Sequence, residues 1–173
     1  MKKILNILFI AVGVLVITLF AIRYWTKSHS PFEKIKGDTK KGKVEIGYCR
    51  PLKKDRKIFG SVVPYETVWR TGANEATTIE FTSFGTFGGR KVKAGKYSLW
   101  TIPSPNYWTV ILNNETGQWG TNYDEKADYL RFKVKAETSD KPIEQLTIKL
   151  EKEENGLNFY LGWENTVLNI PIR

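Results

Sequence analysis

Two kinds of hydrophobic pattern divide the chain. The first is an unbroken apolar run, "ILNILFIAVGVLVITLFAI" from Ile4 to Ile22, without a charge. The second begins near Lys43 and has period two. In "YLRFKVKAE", Leu130, Phe132, Val134 and Ala136 alternate with Arg131, Lys133 and Lys135. "LTIKL" (146–150), "LNFYLGW" (157–163) and "VLNIPI" (167–172) repeat the alternation, and "KVEIGY" (43–48), "TTIEF" (77–81), "KYSLWTI" (96–102) and "YWTVIL" (107–112) read the same way. Alternation at this period places one set of side chains on each face of a strand. Between the runs lie turn formers: Gly88-Gly89, Ala94-Gly95, Pro103 to Asn106, Asn113-Asn114 and Asn155-Gly156. About eight short strands with almost no helical period predict an all-β fold, an antiparallel β-sandwich of jelly-roll or Greek-key type. Pro64 to Arg70 alone suits a helical turn, with Pro64 at its first position.

The apolar run predicts one N-terminal transmembrane helix. Nineteen residues make a helix of about 28 Å, close to the hydrocarbon thickness of a bilayer. A helix lying in a soluble core would carry a polar stripe, and this one carries none. The rival is a cleaved export signal, whose apolar region is shorter and is followed by small residues. Here the exit is Arg23-Tyr24-Trp25, bulky, basic and suited to an interface. The expected organisation is therefore a membrane anchor over 1–25, a basic flexible linker over 26–42 and a single sandwich domain over 43–173. Membrane lipid is the expected partner of residues 4–22. A short basic start before an apolar core has the form of an export signal, so the folded domain is expected on the extracytoplasmic, periplasmic side.

Charge changes the picture less than its total implies. The formal net charge is +9, but from Lys43 onward 19 Lys and Arg face 16 Asp and Glu, and the first 42 residues hold the remaining +6. The excess sits beside the apolar segment. That is a membrane-flanking distribution, and no nucleic-acid partner is expected. One cysteine, Cys49, permits no internal disulfide.

The only histidine, His29, lies in the expected linker. No Ser-His-Asp triad, Cys-His pair or His-rich metal site is expected in the folded domain. There is no P-loop and no Gly-rich strand-to-helix turn. No cofactor, metal site or catalytic residue is assigned. Carboxylates such as Glu75, Glu80 and Asp124 leave two-acid hydrolysis open, although nothing in the sequence makes two of them converge.

The densest polar stretch is "VWRTGANEATTIEF", Val68 to Phe81. Gly72 is free to take positive φ, Asn74 can bond its own backbone, and Arg70, drawn inside, needs an acceptor that Glu75 can supply. Together with "GYCRP" (47–51), "DRKIFG" (55–60), "AGKYSLWTIP" (94–103), "WTVILN" (108–113) and "QWG" (118–120), this run resembles the bacterial domain-of-unknown-function family 2911. Cys49 stands where members of that family typically have Ser, and Lys54-Asp55 replaces their Lys-Gly. The resemblance implies an exported β-rich domain behind a signal or anchor segment, and it carries no activity.

Three roles fit. Trp69, Arg70, Asn74 and Glu75, with Trp119 and Tyr123 from "NETGQWGTNYDEK", suit a module that binds a carbohydrate or other small polar ligand. A hydrolase of envelope glycans would use Glu75 with another acid. A purely structural domain would keep Arg70 and Glu75 as an internal clamp. Arg50, Arg56 and the lysines between them form either an anion site or a solvated loop. The hairpin around Pro103 to Asn106 sets an expected Trp100/Trp108 face against a Tyr97/Tyr107 face, a sheet covered on both sides or a ligand platform.

Overall fold

The structure is a computed structural model that describes residues 2–173. Helix α1 runs from Lys2 to Ser28. Within it the 20 residues Asn6–Trp25 have a mean hydropathy of 2.5, long and apolar enough to cross a membrane by length and composition, and none of that window is buried in the protein.

Ten strands follow: β1 Phe32–Asp38, β2 Lys43–Cys49, β3 Thr77–Phe81, β4 Gly85–Phe87, β5 Arg90–Val92, β6 Gly95–Ile102, β7 Tyr107–Asn113, β8 Asp128–Lys135, β9 Glu137–Glu153 and β10 Gly156–Ile172. They form two antiparallel sheets in the orders β1-β2-β3-β6-β7-β8 and β5-β4-β10-β9. The all-β, two-sheet expectation holds. The segments "LNFYLGW" and "VLNIPI" join into the single strand β10, whose pairing with β9 slips on either side of Glu164.

The expected linker over 26–42 is corrected. Three residues, 29–31, separate α1 from β1, and β1 pairs with β2 along its whole length, from Phe32↔Cys49 to Asp38↔Lys43. Of its inward positions Glu33, Ile35 and Gly37, only Ile35 packs on the core as an apolar side chain, because the other two are used otherwise. Glu33 accepts the Tyr48 hydroxyl at 2.6 Å and pairs with Arg50 at 3.2 Å. At Gly37 any Cβ would come within 2.7 Å of a Leu157 methyl. Outward, Lys34 and Lys36 bracket Glu45 on β2, and their hydrogen bonds hold its carboxyl below the usual carboxylate range.

The core lies between the sheets and combines Val, Ile and Leu with two aromatic clusters. Phe81, Phe87, Phe132 and Phe159 meet edge-on or tilted in one half. Phe59, Trp69, Trp108 and Trp163 fill the other, with Trp69 and Trp163 stacked at 5.9 Å. The register Trp100↔Ile111 puts Trp100 on the opposite face of the sheet from Trp108, which corrects the pairing expected for that hairpin. Trp108, Leu99 and Tyr97 face the core, while Trp100 lies outside with Ala76, Ile111 and Tyr123. That outer patch is covered too, by the loops 68–76 and 114–127.

Residues 64–70 form no helical turn. Glu66 takes a left-handed conformation, φ 56°, and Trp69 makes an antiparallel bridge with Thr101 at the end of β6. The whole segment 50–76 closes one end of the sandwich. It is fastened to the four-stranded sheet by a bridge between Leu52 and Gln145 and by two carboxylates. Glu144 accepts the Lys54 amide at 2.9 Å, and the Glu164 carboxylate accepts the amides of Ile58 and Phe59 at 3.2–3.3 Å.

Candidate functional site

The candidate residues lie where the closing segment 68–76 meets the loop after β7. Trp69 turns inward: its amide and carbonyl pair with Thr101 at 2.7 and 2.9 Å, and its indole N–H donates to the Gly72 carbonyl at 3.0 Å. It belongs to the core rather than to an exposed platform.

The next residues reverse direction through two left-handed positions, Thr71 at φ 54° and Asn74 at φ 58°. Gly72 is not one of them, contrary to expectation. Glycine is needed there for space, since a Cβ would lie 3.0 Å from the Thr77 hydroxyl and 3.3 Å from the Cys49 carbonyl. A left-handed β-branched residue is uncommon. Thr71 is held by its carbonyl, which accepts the Thr77 hydroxyl at 2.9 Å, and by its own hydroxyl, 3.1 Å from that of Thr101.

From Asn74 onward the segment zips to 118–120. Gly120 donates to the Asn74 carbonyl at 3.0 Å, Ala76 donates to the Gln118 carbonyl at 3.2 Å, and Glu75 bridges Trp119. Arg70 does not pair with Glu75. Its Nη1 donates to the Gly120 carbonyl at 3.4 Å, while its buried Nε has no protein acceptor. Burial pushes the guanidinium below the ordinary arginine value. Asn74 is 8% exposed, and its side-chain amide nitrogen also lacks a protein acceptor. Glu75 faces the helix exit instead: Arg23 pairs with it at 3.5 Å and lies 5.3 Å from the centre of the Trp119 ring. The Cys49 thiol reaches the other Glu75 oxygen at 3.9 Å.

Tyr123 stands apart from this clasp. Its ring lies 5.0 Å from that of Trp100, its hydroxyl donates to Asp128 at 2.8 Å, and Arg131 donates to it at 2.6 Å. Burial, followed by the bond to Asp128, pushes its phenol up to about 12. The structure thus brings together Arg70, Asn74, Glu75 and Trp119, turns Trp69 to the core and sets Tyr123 on the outer patch.

Two clefts flank the 69–76 segment, and Ser30 lines both. The larger, about 550 Å³, is bordered by Trp69, Gly72, Trp163, Lys54, Arg56 and His29. No carboxylate lines it. Trp163 is 2% exposed and its indole N–H has no acceptor within the protein. Arg56 is fixed by bonds from Nε and Nη2 to the carbonyls of Lys53 and Leu52, at 2.9 and 2.6 Å. The smaller cleft, about 310 Å³, is bordered by Glu75, Cys49, Lys96 and Phe32. Its single carboxylate is Glu75, so the two-acid geometry of a glycoside hydrolase is not assembled there. Among the described residues no group of three or more His, Cys, Asp or Glu could hold a metal ion.

Several contributors escaped the sequence reading. Gln118 and Gly120 belong to the "QWG" run but are a sheet away from Arg70 along the chain. Glu164 sits inside a β-strand pattern, where a charge reads as an outward residue. Trp163 reads as core, which it is, while also bordering the cleft.

A two-sheet β-domain closed at one end by a polar clasp and preceded by an apolar helix is the class these features define. The chain belongs to the family described as "Protein of unknown function (DUF2911)", whose model matches residues 30–172. Comparison with curated proteins and with solved structures gave no match.

Proposed function

We propose that the protein is a membrane-anchored binding module of the cell envelope, with α1 as an uncleaved single-pass anchor and the β-domain on the extracytoplasmic side. Its ligand is a carbohydrate or another small polar molecule, taken up in the cleft of about 550 Å³. The observation that carries this reading is the make-up of that cleft. Apolar walls from Trp69 and Trp163 stand beside the cations Lys54 and Arg56, with an indole N–H that no protein group accepts. Concave sites with mostly apolar walls and a few convergent polar groups are where small ligands bind. Arg70, Asn74, Glu75 and Trp119 form the partition behind it, so they position the cleft wall rather than stack on the ligand.

The test is thermal unfolding of the full chain in detergent against a panel of neutral and acidic oligosaccharides. A binder raises the melting temperature by mass action. Trp163→Phe keeps the ring and removes the N–H, so the shift given by that ligand should shrink. A panel without any shift, or a shift that is the same in Trp163→Phe, refutes the proposal.

A further inference from the structure

We infer that the segment 53–65 is a second membrane contact, which lies on the anionic headgroup layer of the same bilayer that α1 enters and so turns the mouth of the larger cleft toward the lipid surface. This rests on the anchor reading above. It goes beyond that reading in fixing which surface of the domain meets the membrane.

Tether length comes first. The charge-free apolar run ends at Ile22, and His29 is seven residues further on. At helical rise that places it about 10 Å past the hydrocarbon edge, at the outer side of the headgroups. The headgroup layer on one side is itself roughly 5–7 Å deep. His29 borders the same cleft as Lys54, Arg56 and Val62. Three residues between α1 and β1 leave no slack to carry this end of the sandwich elsewhere. Fully extended, the steps from Ser28 to Phe32 reach at most about 14 Å.

Composition agrees with the position. In "KKDRK", Lys53, Lys54, Arg56 and Lys57 face one acid, Asp55. Of the nearby acids, Glu144 is engaged by the Lys54 amide and Glu164 by the amides of Ile58 and Phe59. A few residues on, Val62 and Tyr65 are 45% and 38% exposed although they are large and apolar. Cations beside exposed apolar side chains are the signature of a surface that sits on anionic lipid. The occupant is the bilayer that α1 enters, since the three-residue tether keeps this segment within its reach and the cations match its anionic headgroups.

The test uses the full chain in lipid nanodiscs with a Cys49→Ser background, Cys49 being the single, buried cysteine. An environment-sensitive fluorophore is placed by Val62→Cys. The control is Asn155→Cys, at the opposite end of the sandwich, where Lys40 reaches Asn155 at 3.5 Å. In phosphatidylglycerol discs the label at 62 should be blue-shifted, quenched by headgroup-labelled lipid and shielded from acrylamide, while the label at 155 is none of these. Lys54→Glu with Lys57→Glu, or discs of phosphatidylcholine alone, should return the label at 62 towards water. Equal acrylamide access at 62 and 155 in anionic discs overturns the inference while leaving the anchor reading intact. Release of the chain from membranes by alkaline carbonate overturns both.

Discussion

Gly120→Ala is the sharpest probe of the clasp. A Cβ built on Gly120 would lie 1.7 Å from Cδ of Arg70, 2.8 Å from its Nε and 2.7 Å from the Asn74 carbonyl oxygen. Two of those atoms belong to the half-buried stem of Arg70 and the third to backbone, so no flexible tip can yield. Overpacking of this kind costs about 1–3 kcal/mol. Displacing Arg70 also breaks its bond to the Gly120 carbonyl. That bond is long, at 3.4 Å, and so belongs near the bottom of the roughly 1.5–3 kcal/mol range for charged donors. The sum is about 2.5–4.5 kcal/mol, or a fall in melting temperature of roughly 5–18 °C for a domain of this size.

Arg70→Ala removes the atoms that the new methyl would strike. Its own cost, from the lost bond and buried stem, is about 1–2 kcal/mol. The double variant should therefore be less destabilised than the sum of the singles by about 1–2 kcal/mol, a coupling expected only of groups in contact. Urea unfolding of the four proteins, followed by tryptophan emission, measures the cycle. Additivity within about 0.5 kcal/mol, or a neutral Gly120→Ala, would refute the clasp geometry.

Two further outcomes follow from the same structure. Glu164→Ala leaves the Ile58 and Phe59 amides without their acceptor. It should cost about 1.5–3 kcal/mol and open the 51–63 segment to limited proteolysis, and an unchanged digestion pattern would count against the fastening. Tyr123 has a folded pKa of about 12 against about 10 for an unfolded tyrosine. Its proton is held in the fold after the unfolded chain has lost it, so its contribution is full below pH 10 and is lost as pH rises through 10 to 12. The stability difference between wild type and Tyr123→Phe should accordingly shrink across that window, and a constant difference would contradict the assignment.

Period-two patterning made most strands legible because one face of each is apolar. It failed where the inward face serves another purpose. β1 hides because Glu33 reaches for Tyr48 and Gly37 makes room for Leu157. β4 and β5, three residues each, are too short to show a period. The faces of the β6–β7 hairpin depend on how the four residues 103–106 set the register, which alternation within either strand does not reveal. At the site, "VWRTGANEAT" announced a special turn. It could not announce its partner at 118–120, because that pairing is long-range. Arg70 needed an acceptor, as charge and burial require, but the acceptor is a backbone carbonyl and Glu75 turns toward Arg23.

The distribution of strain bears on whether the closing end is only architecture. Six described residues other than glycine have positive φ: Lys54, Asp55, Glu66, Thr71, Asn74 and Glu164. Five lie in the segment 50–76, and the sixth is the carboxylate that fastens it. Elsewhere among the described residues the left-handed positions are glycines, at Gly88, Gly89 and Gly117. A left-handed side-chain residue costs about 1–2 kcal/mol, so a turn that served only to bend the chain would be less strained as glycine. For Glu164 the compensation is visible in two amide bonds. For Asn74 it is not, since its amide nitrogen finds no protein acceptor. Among the described residues the other buried polar side-chain atoms in that condition belong to Arg70, Gln118 and Trp163, all in the clasp or on the border of the larger cleft. Buried polar groups without partners are rare in native proteins and call for a reason. Strain and unmet hydrogen bonding therefore coincide at the closing end, where the binding cleft is proposed, and this is the pattern that a site holding its shape against local preference produces.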